Sequence, residues 1–165
     1  MKKICIFIAI FFILGQLKGQ QDNQLNNILV ESILLNLDYD VDLYNKVSGN
    51  RKDSRAYTLP YICKDGLPSH FPYDSLQHIN FFSLNNVDGQ PNFFKKKLKK
   101  GMSAWFVGIK LTNNVITITI SDEDIKRIKK NRVKHVVGFH WGIYTYEYSC
   151  EKQEWKLKDV KHTGI

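Results

Sequence analysis

Two alternating runs separated by three turn residues constrain this chain more than any other feature. Residues 103–111 (SAWFVGIKL) and 115–120 (VITITI) are rich in β-branched and aromatic side chains, and Thr112-Asn113-Asn114 supplies turn chemistry between them. They predict a β-hairpin. A second hairpin is predicted from residues 134–149 and 155–161 across Glu151-Lys152-Gln153. In its first strand Tyr144, Tyr146 and Tyr148 alternate with Ile143, Thr145 and Glu147, the period of two that sends successive side chains to opposite faces. Between the hairpins, Ser121 followed by Asp122, Glu123 and Asp124 has the chemistry of a capped helix start. A short helix over 121–130 is expected, with Ile125 and Ile128 inward and Asn131 at its end.

Upstream, Leu25, Ile28, Leu29, Ser32, Ile33 and Asn36 fall at helical spacing, which predicts an amphipathic helix over residues 22–36 with Asp22 as its N-cap. A helix this short is marginal alone in water and needs a sheet to cover. Residues 45–90 are rich in Gly, Pro, Asn and Asp, yet carry too many large apolar groups for a solvated tether. A long covering segment is expected there, with short strands near 56–63 and 79–84. One helix followed by neighbouring strands predicts an α+β domain, an N-terminal helix packed on an antiparallel sheet. The plan is similar to that of cystatin-like and nuclear-transport-factor-like cone folds, an analogy of architecture that implies no function.

The N-terminus has a separate logic. Lys2-Lys3 precede an unbroken apolar run over residues 4–14 (ICIFIAIFFIL) that ends at Gly15. A membrane-spanning helix needs about 20 such residues, so the run has the length of the h-region of a secretory signal. Residues 1–19 are expected to be removed near Gly19, leaving 20–165 as the single domain, periplasmic or secreted; retention as an N-terminal membrane anchor is the alternative. The segment resembles the signals of Gram-negative exporters whose mature chains begin with Gln. Cys5 lies at the start of the run rather than after it, which argues against a lipoprotein signal.

Composition agrees with one ordinary globular domain: 43% apolar, 13% aromatic and 24% charged residues. Loss of 1–19 would remove Lys2, Lys3 and Lys18 and no acid, so the formal net charge of +8 falls by three, to +5. Much of the remaining excess lies in Lys95-Lys96-Lys97-Leu98-Lys99-Lys100. Cleavage would also leave an even pair, Cys63 and Cys150, a disulfide candidate in an oxidising compartment. Such a bridge would close a loop of nearly ninety residues and add about 4–5 kcal/mol in the chain-entropy picture.

Catalytic signatures are absent from the sequence: it holds no G-x-S-x-G, no H-E-x-x-H, no phosphate-binding loop and no G-x-G-x-x-G. No catalytic residue and no cofactor is assigned. Histidines at 70, 78, 135, 140 and 162 raise the question of a metal, but His135 and His140 are five apart on a predicted strand and fall on opposite faces unless a bulge at Gly138 intervenes. No metal site is expected.

Two surfaces remain for binding. Residues 95–97 (Lys95, Lys96, Lys97) and their neighbours could attract anionic glycan or lipid head groups, or simply guard an edge strand, while export argues against nucleic acid. Trp141, Tyr144, Tyr146 and Tyr148 could line a concave sheet face open to a ligand, or sit beneath the helix as core. The expectation is an exported, non-catalytic binder of a ligand or partner. The alternatives are an enzyme with a pocket of Tyr, Trp and His, and a structural or inhibitory module that captures a protein by an edge strand.

Overall fold

Asn113 and Asn114 make a two-residue connection between neighbouring strands. Thr112 pairs with Val115 across them, and Asn113 takes the left-handed backbone (φ 55°) that an asparagine tolerates better than a β-branched residue. The structure, a computed structural model, describes the backbone of residues 2–48, 59–129 and 132–164, and in the first helix the side chains of residues 23–46. Its elements are α1 (Lys2–Ser48), β1 (Tyr61–Cys63), β2 (Asn80–Phe82), α2 (Asn92–Lys100), β3 (Met102–Thr112), β4 (Val115–Lys129), β5 (Arg132–Ser149) and β6 (Glu154–Thr163).

Among the described residues the strands form one six-stranded sheet in the order β2-β1-β3-β4-β5-β6. β3 to β6 are antiparallel neighbours, as the two predicted hairpins require. The short strands β1 and β2 were also expected, but β1 runs parallel to both β2 and β3, so the sheet is mixed. The class is α+β.

Period-two alternation gives the sheet two apolar faces. Trp105 and Val107 of β3, Ile116, Ile118 and Ile120 of β4, and Tyr144 and Tyr146 of β5 lie under Ile28, Leu29 and Ile33 of α1. Ala104 and Ile125 lie on the opposite face with Cys63 and Phe82, beneath Phe94 and Leu98 of α2. The layers are thus helix, sheet, helix.

Three expectations are corrected. First, α1 is longer than residues 22–36, and Asp22 lies within it rather than at its cap. The helix persists because Tyr39 and Asp40 find partners on β5 and β6. The apolar run 4–14 and the expected cleavage near Gly19 fall where the side chains of α1 lie outside the described residues. Among the described residues no helix is long and apolar enough to cross a membrane.

Second, residues 121–129 form no helix. They continue β4, because as far as Ile125 the strand is paired on both sides, with Met102 of β3 and His135 of β5 at that residue, and beyond it β5 alone carries the pairing to Lys129. Pairing on both edges outweighs the local capping signal of Ser121 and the acids that follow. A register shift between Ser121 and Glu123 bends the strand there, and Gly138 is the residue that fits, since an added Cβ would run into the Asp122 carbonyl.

Third, the lysine run is helical. Phe94 and Leu98, four apart, bury one face of α2. Gly101 ends it at φ 99° and donates its N–H to the Lys97 carbonyl at 3.0 Å. Lys97, Lys99 and Lys100 lie in the last turn, where cations favour the negative helix end.

Candidate functional site

The tyrosine row is covered. Tyr144 and Tyr146 have no exposed surface. Tyr144 donates its hydroxyl hydrogen to Asn36 Oδ1 at 2.9 Å, and Tyr146 Oη lies 3.1 Å from both Ser32 Oγ and Glu31 Oε2. Asn26, Ser32 and Asn36 form a polar stripe on the buried side of α1, and the last two meet these phenols. Burial pushes both hydroxyls well above the ordinary tyrosine range, so they remain neutral donors. As ligand-binding residues on an open face, Tyr144 and Tyr146 are therefore corrected: they are core.

Trp141 is only half-buried and, three residues from Tyr144, faces the opposite side of the sheet. Tyr148 continues the row past the helix, where its ring packs 5.2 Å from Trp155. With Leu25, Leu111 and Ile116 these two rings line an open cleft of about 430 Å³. Trp141, Tyr144, Tyr146 and Tyr148 do not share one surface.

The disulfide is also corrected. Cys63 and Cys150 are free thiols, one buried and one exposed. Cys63 lies level with Phe106, Ser121 and Trp141 across the sheet. Cys150 is three strand spacings away, roughly 14 Å, and nine residues further along, roughly 30 Å. A bridge needs Cα atoms within about 7 Å. Burial and the nearby Asp65 carboxylate push the Cys63 thiol up to about 11, which leaves it inert as a nucleophile.

His135 and His140 face opposite sides of β5, although the register shifts at Gly138 between them. His135 Nδ1 is 3.0 Å from Glu123 Oε2, and its ring stands 5.3 Å from Phe106 on the α2 side. His140 turns to the α1 side, with Nδ1 3.6 Å from Asp40 Oδ1. Among the described residues, no three His, Cys, Asp or Glu side chains are grouped to hold a metal ion.

Around His140 the fold assembles groups that no local motif announces. Tyr39, His140 and His162 stack within a few degrees of parallel, with centroids 3.7 Å apart for Tyr39–His162 and 6.0 Å for the two imidazoles. Burial, with a smaller push from the Asp122 charge, raises the Asp40 carboxyl from 3.8 to about 6 against the pull of His140. Burial also raises Asp122, despite a short hydrogen bond from Ser103, and lowers His162. Buried His140 Nε2 and His162 Nδ1 have no hydrogen-bond partner among the described residues. The cluster's sequence signal was Tyr39 and Asp40 falling three and four residues after Asn36, the spacing that continues the helix past residue 36.

The lysines, by contrast, are brought together with more charge than the run alone contains. Lys95 Nζ donates to the Asp88 carbonyl at 3.1 Å, and Lys97 Nζ donates to Tyr61 Oη at 2.9 Å. Lys96, Lys99 and Lys100 point to solvent. Beside them, Lys99 lines an open depression together with Arg127, Ile128 and Lys129 of the β4 end. Lys126 and Lys134, which alternate with Ile125 and His135 along their strands, line a separate one of about 450 Å³ with Asp124. Arg127 is paired with Asp88 at 3.1 Å, which neutralises an acid that would otherwise interrupt the face. Sequence reasoning missed this join because it placed residues 121–130 in a separate helix.

Searches of protein-family models, of curated proteins and of solved structures found no match to the chain.

Proposed function

We propose that this is an exported protein that binds a polyanionic surface through the basic face of α2 and the adjoining end of β4, without catalysis. The observation that carries the reading is the exposure of Lys96, Lys99 and Lys100 on α2, with Lys99 brought beside Lys129 of β4, cations from two elements that share no stretch of sequence. Clustered positive charge attracts polyanions in a salt-dependent manner. Anionic glycans and lipid head groups are the partners suited to a secreted or periplasmic protein.

The test is retention on immobilised dextran sulfate in rising salt. The chain should elute well above the ionic strength that releases a triple variant Lys96→Gln/Lys99→Gln/Lys100→Gln. Equal elution of the two would overturn the reading. For export, the mass of the protein recovered outside the cytoplasm should correspond to a start near Gln20; a full-length mass would favour the anchored alternative.

A second reading, an enzyme acting on an exported substrate, is favoured by one arrangement. Asp40 lies against His140 Nδ1, while His140 Nε2 is turned away from it without a partner among the described residues. A carboxylate behind an imidazole is the arrangement of a general base. Turnover lost on His140→Gln would establish it.

A further inference from the structure

Among the described residues only β5 pairs with β6, so the outer edge of this strand, at one end of the sheet, has no strand beside it. The strand is interrupted once. Leu157 pairs with Tyr146 and Asp159 with Thr145, neighbours on β5, so Lys158 is an extra residue, and its ammonium is drawn back over β5 to Glu147 Oε2 at 2.7 Å. This bulge resets the alternation. Before it, Glu154 and Lys156 oppose Ser149 and Glu147; after it, Asp159 and Lys161 oppose Thr145 and Ile143, so all four charges lie on one face of the edge. Trp155, Leu157 and Val160, opposite Tyr148, Tyr146 and Tyr144, lie on the other face, with Leu157 37% and Val160 38% exposed.

The charges on this edge run acid, base, acid, base, an order that becomes its own complement when reversed. We infer that β6 pairs antiparallel with β6 of a second copy of the chain about a two-fold axis at the bulge, joining two sheets into one. Glu154 then faces Lys161 of the second copy, Lys156 faces Asp159, and Trp155 faces Val160. Each pair lies on one face and unites residues of one hydrogen-bonding type, because the four charged residues all oppose odd-numbered positions of β5, while Trp155 and Val160 oppose even ones. In an unbulged strand Glu154 and Lys161, an odd separation apart, would point to opposite faces and the match would be lost. Slippage by two residues sets Lys156 against Lys161 in one direction and Glu154 against Asp159 in the other, so the charges that guard the edge against foreign strands admit one register. Within one chain Lys156 lies 3.8 Å from Glu154 and Lys161 lies 3.0 Å from Asp159, with the four side chains between 45% and 68% exposed. A second copy therefore extends an alternating ladder of charge and buries no lone ion.

The test is sedimentation velocity of the full chain over a dilution series. Wild type should sediment as a reversible dimer. Glu154 and Lys161 oppose the uncharged Ser149 and Ile143 within their own chain, so reversing either charge makes no like-charged cross-strand pair there. Glu154→Lys sets two lysines face to face across the two-fold and Lys161→Glu two acids, each twice per dimer. Either change should weaken association by about thirtyfold, at about fivefold for each contact reversed. Glu154→Lys/Lys161→Glu restores opposite signs and should dimerise like wild type, and circular dichroism should be alike for all four proteins. A monomeric wild type would overturn the inference. A dimer indifferent to both single reversals would assign association to another surface, the apolar residues 4–14 included, and would overturn it too. Single reversals that the exchange fails to rescue would exclude this register and with it the inference.

Discussion

Tyr39 lies flat against His162, ring centroids 3.7 Å apart and planes within 3°, and this contact ties the C-terminal half of α1 to the last strand of the sheet. The partners are 123 positions apart in sequence, and their stack includes His140, which in turn faces Asp40. The acid–base behaviour of the fold is concentrated here.

His162 is held below the ordinary histidine range by burial and by the His140 charge. A group whose folded pKa is depressed contributes stability that is present above its unfolded pKa, about 6.5, and lost as pH falls through the folded value. His162→Phe keeps a flat ring against Tyr39 and removes the titration. Urea unfolding at pH 7.5 and pH 5 should show wild type losing more stability on acidification than His162→Phe. Equal losses would show that the imidazole titrates alike in the folded and unfolded chain.

Asp40 behaves in the opposite sense. Its carboxyl is raised from 3.8 to about 6, so its favourable contribution is complete below 3.8 and is lost as pH rises through about 6. Asp40→Asn removes the buried charge. The variant should gain on wild type by roughly 3 kcal/mol at most between pH 4 and pH 7, measured by denaturant midpoints at each pH. A constant difference would mean that Asp40 is solvated in both states.

Gly142 lies directly beneath the Asn36–Tyr144 hydrogen bond. A Cβ at this position would come within 2.7 Å of Tyr144 Oη and still closer to Asn36 Oδ1. Gly142→Ala should therefore destabilise by about 1–3 kcal/mol, the range of overpacked cores. Thermal unfolding would read it, and Gly108→Ala, which meets only the Thr119 carbonyl at 3.9 Å, is the control at an open site.

The two thiols should react at different rates. In native protein, a thiol reagent should modify Cys150 within the mixing time of a bench assay, and Cys63 only on unfolding, because one is exposed and the other 3% exposed with a thiol at about 11. One equivalent before denaturant and two after is the expected count for a chain without residues 1–19. None before and two only after reduction would restore the disulfide.

Local chemistry made much of the architecture legible. Period-two alternation located β3, β5 and β6, the Thr112-Asn113-Asn114 turn fixed the first hairpin, and helical spacing from Leu25 to Asn36 found the part of α1 that covers the sheet. These signals are readable because side-chain direction follows from backbone period alone. The same period placed His135 and His140 on opposite faces before any partner was known.

Where two local readings competed, the sequence favoured the wrong one. Residues 121–129 carry a helix-start signal and still form a strand, because β3 pairs with it as far as Ile125 and β5 as far as Lys129. The lysine run offered no apolar periodicity beyond Phe94 and Leu98, two residues whose spacing becomes meaningful only once a sheet face lies beneath them. The tyrosine row was correctly located on one face, but whether that face is pocket or core depends on where α1 lies.

Alternation, turn chemistry and net charge thus follow from nearest neighbours along the chain, and they set the α+β class and the basic character. The polar cluster of Tyr39, Asp40, His140 and His162, the burial of Tyr144 and Tyr146, the separation of Cys63 from Cys150 and the union of Lys99 with Ile128 and Lys129 are all contacts between distant segments. Only the packing of α1 and α2 on opposite faces of one sheet decided them, since desolvation and proximity are properties of the folded neighbourhood and leave no mark in local order.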